Sequence, residues 1–237
     1  MAQDGARERA AWRRPPAPEA MTLAGRWARL APLAPAHAAP LHAAFAAEDR
    51  VWDFMGYGPF PDEAAYAAWV AAAAAGSDPR FFAIRDMARP DPSGVAALMR
   101  ADPAHGAIEI GHVCLAPALQ RTRAASEAIH LLADWAFRAG YRRLEWKCDA
   151  ANSASRRAAA RFGFAFEGVF RQHMIVKGRN RDTAWFAIVD GDWPALRAAH
   201  RRWLDPANFD AAGRQRERLG DLTGPVRVRA EEAARGL

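Results

Sequence analysis

Apolar and polar positions along this chain switch repeatedly between two periods. Short strand-like apolar runs at Phe81–Arg85, Gly94–Arg100 and Ala107–Leu115, and an alternating one at Arg142–Cys148, predict strands. Stretches with apolar residues three and four apart predict helices. Residues 122–139 set Ile129, Leu132, Trp135 and Ala136 on one face, and Gly140 suits a C-terminal cap. A second helix starts at Pro61-Asp62-Glu63, carries Tyr66, Trp69 and Val70 at helical spacing, and runs through alanines to Gly76. Further elements are a strand near Arg26–Leu30 and helices over Pro40–Ala47, Asn152–Phe162 and Trp193–Leu204. Phe164–Val176 and Thr183–Val189 read as a hairpin joined across Lys177–Asp182.

Strands interleaved with helices in this way imply an α/β (mixed α+β) fold, a central twisted mixed sheet flanked by helices. At 237 residues the chain suits one domain with extensions. Residues 1–20, rich in Arg, Ala and Pro and without periodicity, read as a flexible tail. The domain proper is expected over 21–190, a C-terminal helical extension over 191–225, and a second flexible tail over 226–237.

Half the residues are hydrophobic, many of them alanine, so the nine Trp and twelve Phe must anchor the core. The net charge of +6 raises a nucleic-acid reading. Against it, only Lys147 and Lys177 are lysines, so the basic residues are almost all arginines spread with the alanines. A basic mouth that attracts an anionic cofactor fits the same charge. Two cysteines, Cys114 and Cys148, make neither a disulfide framework nor a metal site, and both sit in strands as small buried residues. No apolar run reaches the roughly 18 residues of a membrane span. The charged, proline-containing N-terminus lacks a signal peptide's apolar core, so a cytoplasmic location is expected.

Chemistry concentrates at two strand-to-helix junctions. Ile108-Glu109-Ile110-Gly111-His112-Val113-Cys114-Leu115 runs through a short turn into the helix at Thr122, with Gln120, Arg121 and Arg123 at the junction. A helix N-terminus offers unpaired N–H groups and a positive dipole end, which suit a pyrophosphate. At the second junction Asn152 is placed to cap the next helix, Ser155 lies in its first turn, and Gly163 to Gly168 follow it.

Taken in order, these segments resemble the GNAT N-acetyltransferase superfamily, especially the branch of ribosomal-protein-alanine N-acetyltransferases. That branch follows a strand with a loop of type R-G-x-G-x-A-T-E-A, then N-x-x-S and G-F-x-x-E-G. Here stand Gln120-Arg121-Thr122-Arg123-Ala124-Ala125-Ser126-Glu127-Ala128, then Asn152 and Ser155, then Gly163-Phe164-Ala165-Phe166-Glu167-Gly168. Arg171, Gly178 and Asp182 on the hairpin, and Tyr57-Gly58-Pro59-Phe60 earlier, also fit, so the likeness spans roughly residues 22–190. Both loop glycines of the pattern are replaced, by Arg121 and Arg123. Those arginines either supply side-chain contacts or obstruct the phosphate cradle.

The resemblance implies transfer of an acetyl group from acetyl-CoA, without a metal, to a small-molecule amine or a protein N-terminus, in a monomer or homodimer. It implies cofactor contacts along Val113, Cys114 and Leu115, through Gln120, Arg121, Thr122, Arg123, Ala124, Ala125 and Ser126, and at Asn152 and Ser155. A non-catalytic CoA-binding module and a ribosome- or RNA-associated basic protein are the alternatives. Transfer needs a neutral amine, donors for the oxyanion and a proton for the leaving thiolate. Glu109 is the first candidate base and His112 its rival, on the opposite face by strict alternation unless a bulge intervenes. Many members of the resembled family carry an acidic tyrosine where this chain has Ala159, and in the resembled branch a serine at the Ser155 position can serve, so the resemblance implies Ser155 as the candidate acid. Tyr57, between Gly56 and Gly58, is the candidate acceptor-pocket residue. Arg171 and Asp182 are expected to pair across the hairpin.

Overall fold

The strand-period runs condense into one sheet of eight strands. The computed structural model describes residues 12–236. In chain order it contains β1 (Leu23–Ala24), β2 (Ala28–Pro32), α1 (Ala38–Phe45), α2 (Glu63–Ala75), β3 (Arg80–Asp86), β4 (Pro92–Asp102) and β5 (Ala107–Leu115). Then follow α3 (Arg123–Arg138), β6 (Arg143–Asp149), α4 (Ser153–Phe162), β7 (Ala165–Val176), β8 (Arg179–Val189), α5 (Trp193–Leu204) and α6 (Leu219–Ala234). The sheet order is β1-β2-β3-β4-β5-β6-β8-β7. Every adjacent pair is antiparallel except β5–β6, which the α3 crossover makes parallel. The expected mixed sheet flanked by helices is therefore the observed fold.

Local chemistry explains most helix ends. Asp62 caps α2 by accepting from Ala65 N at 2.8 Å, and Thr122 caps α3 by accepting from Ala125 N at 3.0 Å. Gly163 closes α4 in the left-handed region at φ 94°, where a side chain would also collide with Leu196. Ile129, Leu132 and Ala136 bury the apolar stripe of α3 against the sheet, together with Leu30, Ile84, Leu98, Ile108 and Ile110. The opposite face packs Phe81, Ala83, Val95, Ala97 and Cys114 against Leu41 and Phe45 of α1 and Tyr66 and Val70 of α2.

Strand β5 changes face part-way along. Ile108 and Ile110 point towards α3, and strict alternation would send Cys114 the same way. Cys114 instead joins the α1/α2 side, because β5 holds an extra residue: Ala97 pairs with Gly111 but Val95 with Cys114. His112, at φ 50°, takes up the slack in this β-bulge. One inserted residue inverts the parity of all that follow.

The edge of the sheet is locked to α3 by a single carboxylate. Glu127, buried within α3, accepts from the backbone N–H groups of Arg26, Trp27 and Ala28 at 3.0, 2.6 and 2.7 Å. Gly25 makes this approach possible, since a Cβ there would lie 2.3 Å from the Glu127 carboxyl carbon.

Both ends of the chain differ from expectation. Of the predicted 1–20 tail, residues 1–11 lie outside the described residues, while 12–20 form a strap. Trp12 Nε1 donates to Gly140 O at 3.0 Å, the Tyr141 hydroxyl donates to Pro16 O at 2.8 Å, and Pro15 and Pro18 are buried. The predicted 226–237 tail is helical to Ala234, in spite of Gly220, Gly224 and Pro225. Tertiary bonds outweigh those weak formers: Thr223 donates to Arg161 O at 3.0 Å, and Glu231 accepts from Phe166 N at 3.2 Å. The hairpin turn is shorter than predicted, with only Lys177 and Gly178, both at positive φ, between the strands. Asp182 does not pair with Arg171. It accepts from Gln172 N at 2.7 Å and Asn180 Nδ2 at 2.9 Å, which holds its carboxyl below the usual range.

Truncating Glu127 to Ala leaves three backbone donors without this acceptor, one of them fully buried. The loss in stability is expected to be about 3 kcal/mol, read from urea unfolding, with native m-value retained.

Candidate active site

The two parallel strands share hydrogen-bonded register only over Ala107–Glu109 with Arg143–Glu145. Beyond Glu109 and Glu145 they part, and a cleft of about 1550 Å³ opens between their carboxyl ends. The N-termini of α3 and α4 face this cleft from one side, and the 48–56 segment and the β7–β8 hairpin from the other. The hairpin tip is tied across it, as Lys177 Nζ donates to Trp52 O at 2.8 Å.

Every predicted site residue but one lines this cleft. Glu109, Val113, Cys114, Leu115, the loop from Gln120 to Ser126, Asn152 and Ser155 all do so. Tyr57 does not. Its ring lies behind the wall against Trp69 at 4.6 Å, and its hydroxyl sits 3.2 Å from His112 Nδ1. The wall in that region is Val51, Asp53, Phe54, Met55 and Gly56, and Phe54 is exposed to it rather than packed in the core. Tyr57 thus supports the site from behind, because the turn at Gly56 and Gly58 swings its ring into the aromatic cluster of α2.

The bulge decides the candidate base. Strict alternation separates Glu109 from His112, but the extra residue sends Val113 to the α3 side and keeps His112 against Phe81, 4.8 Å between ring centroids. Glu109 and His112 therefore border the same cleft. Glu109 is 3% exposed, and its Oε2 takes Arg100 Nη1 at 2.7 Å and Lys147 Nζ at 3.1 Å. Lys147 also pairs with Glu145 at 2.6 Å and lies 3.8 Å over the Trp185 ring. Burial, then the Arg100 charge, lowers His112 to about 4, so its imidazole is neutral at neutral pH. Burial lifts Cys114 to about 12 and raises Cys148 as well, so both thiols stay protonated.

In the loop between β5 and α3, Arg121 adopts φ 60°, the left-handed conformation that favours glycine. The loop keeps the glycine backbone while carrying an arginine side chain outward, and Arg121 is exposed. Thr122 Oγ1 donates to Leu119 O at 2.7 Å while accepting from Ala125 N, so the cap aims the first α3 N–H groups at the cleft. Gln120, also exposed, folds back on the end of β5, its Nε2 donating to Leu115 O at 2.9 Å. Asn152 caps α4 through Ser155 N at 3.0 Å. Trp146 Nε1 donates to Ser155 Oγ at 2.9 Å, and Cys148 lies within hydrogen-bond reach of the same hydroxyl.

Residues that the pattern reading missed are Trp27, Arg100, Lys147, Arg157, Arg161, Phe209 and Arg218, all on the cleft. Arg157 and Arg161 stand four apart on a predicted helix, a signal that was available. Trp27 and Phe209 reach the site from distant segments, and local sequence carries no trace of that.

A cleft at the carboxyl ends of diverging parallel strands, faced by helix N-termini and arginines, marks an α/β protein whose site has the shape and charge to suit an elongated phosphorylated ligand. A sequence profile described as acetyltransferase (GNAT) domain matches residues 9–165. A GCN5-related N-acetyltransferase from Brucella melitensis is 45% identical, with TM-score 0.89 over 91% of this chain and 99% of its own. A probable acetyltransferase (GNAT family) from Chromobacterium violaceum ATCC 12472 is also 45% identical, with TM-score 0.74 over 78% of this chain and 94% of its own. The microcin C7 self-immunity acetyltransferase MccE, determined with acetyl-CoA and AMP, shares the fold at 20% identity, 70% and 93% coverage and TM-score 0.63. A search among curated proteins finds no match. The chain belongs to the GNAT acetyltransferase family.

Among the described residues, no helix is long and apolar enough to cross a membrane.

Two outcomes test this geometry. Arg121→Gly is expected to raise stability by about 1 kcal/mol, and Arg121→Val to lower it by more, since only glycine is unstrained at that φ. Urea unfolding of the two variants reads this directly. Unfolded, His112 binds its proton near 6.5; folded, only near 4. The unfolded state thus holds the extra proton between those values, and stability falls as pH drops through that window. His130 and His200, lowered by burial to about 4 and about 3, act in the same sense. His112→Asn should flatten the decline between pH 6.5 and 4 and leave the slope above pH 7 unaltered.

Proposed function

We propose that the protein transfers the acetyl group of acetyl-CoA to a primary amine, on a small molecule or a protein N-terminus. The observation that carries this reading is the parted β5–β6 pair. It leaves the edge of β5 from Ile110 to Leu115 without a strand partner on the cleft side, beside a helix N-terminus suited to phosphates. Supporting it, the fold relative MccE was determined with acetyl-CoA. A further fold relative, RimL, is a ribosomal L7/L12 alpha-N-protein acetyltransferase at 20% identity and TM-score 0.61.

The donor's thioester supplies an acyl carbon, and transfer forms a C–N bond and breaks a C–S bond. One proton must leave the amine and one must reach the departing sulfur. Backbone N–H groups of Val113 and Leu115 are assigned to align the acyl arm and polarise the carbonyl. Arg121, Arg123 and the α3 N-terminus receive the phosphates. Glu109 collects the amine's proton through Oε1, the oxygen its two cations do not occupy, with His112 as the second acceptor on the same face. Ser155 donates to the sulfur, its Oγ polarised by the Trp146 indole.

The lining assigned to the acceptor mixes charges: Glu48, Asp53, Arg50 and Arg181 with the apolar Phe54 and Met174. This composition suits a polar amine with an apolar portion.

Glu109→Gln and Ser155→Ala are each expected to lower kcat by about ten- to a hundredfold while acetyl-CoA affinity changes less than threefold. Steady-state kinetics with calorimetric titration checks both. Mass spectrometry of products from an amine and peptide panel identifies the acceptor; no acetylated product from any amine, with acetyl-CoA bound, would sink the transferase reading.

A further inference from the structure

The arginine that replaces the second loop glycine does not hang free over the phosphate cradle. Arg123, the first residue of α3, lays its guanidinium 4.0 Å above the Trp27 ring and 4.7 Å above the Phe209 ring. Trp27 comes from the β1–β2 turn, and Phe209 from the 205–218 segment between α5 and α6, beyond the stretch that matches the family profile. Two distant parts of the chain therefore converge on one side chain.

Both rings are held firmly. The Trp27 backbone is bonded to Glu127, and its Nε1 donates to Leu204 O at 3.0 Å. Phe209 forms an isolated bridge with Gln215 and meets Trp203 edge-on at 5.3 Å between centroids. The Trp203 indole donates to Gln215 Oε1 at 2.8 Å, and Asn208 bonds Trp203 O and Glu217 O from inside the segment. Arg161 ties this unit to α3, stacking 4.8 Å over Trp203 and donating to Ser126 Oγ at 3.0 Å.

The segment also lines the cleft, through Phe209, Gly213, Arg214, Gln215 and Arg218. Its charges are not equivalent. Arg214 is balanced by Asp210 at 2.8 Å, whereas Arg218, like Arg121, Arg123 and Arg157, forms no ion pair among the described residues. Four guanidinium groups on one cleft, none of them held by a carboxylate, suit a phosphate. An arginine sandwiched between rings keeps its N–H edges available, because stacking uses only its faces.

We propose that the 205–218 segment is a working wall of the donor site: Phe209 with Trp27 positions Arg123, and with Arg218 it receives the phosphorylated adenosine portion of the acyl-CoA. This proposal rests on the acyl-CoA reading above. It accounts for the loss of the second loop glycine, since the side chain that would block the cradle is drawn aside and its charge is retained.

Phe209→Leu keeps an apolar side chain against Trp203 but removes the ring face, and Phe209→Trp restores one. Leucine is expected to raise KM for acetyl-CoA about tenfold with a much smaller effect on kcat, the scale of one cation–π contact, and tryptophan to return KM to within threefold of wild type. Arg218→Ala should raise KM similarly. Repeating the kinetics with acetyl-3′-dephospho-CoA separates the two phosphate sources. A smaller increase with that donor assigns the wall to the 3′-phosphate, and an equal increase to the pyrophosphate. Unchanged KM for both donors in Phe209→Leu and Arg218→Ala, with wild-type melting temperatures, overturns the proposal. Failure of the wild-type protein to bind CoA by calorimetry would instead overturn the donor reading itself.

Discussion

At Glu109 and Glu145 two parallel strands stop sharing hydrogen bonds, and a buried charge cluster sits in the fork. Lys147 reaches both carboxylates, and Arg100 closes the cluster from the neighbouring strand. Buried charges are tolerated only when each has partners, and here each cation and carboxylate has at least one. The cluster stands on one face of the sheet, at the place where the pairing of β5 with β6 is interrupted. The cleft, the bare edge of β5 and the two helix N-termini that face it all follow from that interruption.

The bulge beside the fork adds a second level of control. One extra residue at Gly111–Cys114 moves Val113 and Leu115 to the α3 side and brings His112 onto the side of Glu109. A continuous ladder would have placed the backbone of Val113 and Leu115 and the side chains of Glu109 and His112 in a different relation. The strained φ of His112 is held by its stacking on Tyr57 and the contact with Phe81. Tyr57 serves the site by keeping that imidazole in place, which is a supporting role rather than contact with an acceptor.

The chain departs from its relatives' loop pattern at two glycines and meets each departure differently. Arg121 adopts the glycine conformation and accepts the strain, its side chain leaving towards solvent. Arg123 sits in ordinary helical geometry, and its bulk is handled by two aromatic rings from elsewhere. Arginine at both places keeps positive charge near the α3 N-terminus, where the helix dipole already favours an anion. The basic character of the chain thus gathers in part at a cleft, and it need not mark a nucleic-acid surface.

Much of this was readable along the chain. The bounds of β5 and α5, the helix start at Asp62 and the caps at Asn152 and Gly163 follow from period and capping chemistry, which act over a few neighbouring residues, while the set from Gln120 to Ser126 came from the family resemblance. What lay beyond reach was long-range. The bulge at His112 depends on the register of β4. The strap at Trp12 and the helix over Gly220, Gly224 and Pro225 depend on partners more than 60 residues away. The sandwich on Arg123 joins Trp27 to Phe209. Local sequence determines which elements form and which chemistry they carry, because propensity and capping are short-range forces. Which face His112 turns to, and which rings hold Arg123, only tertiary packing decides, because strand register and ring stacking are set by neighbours in space.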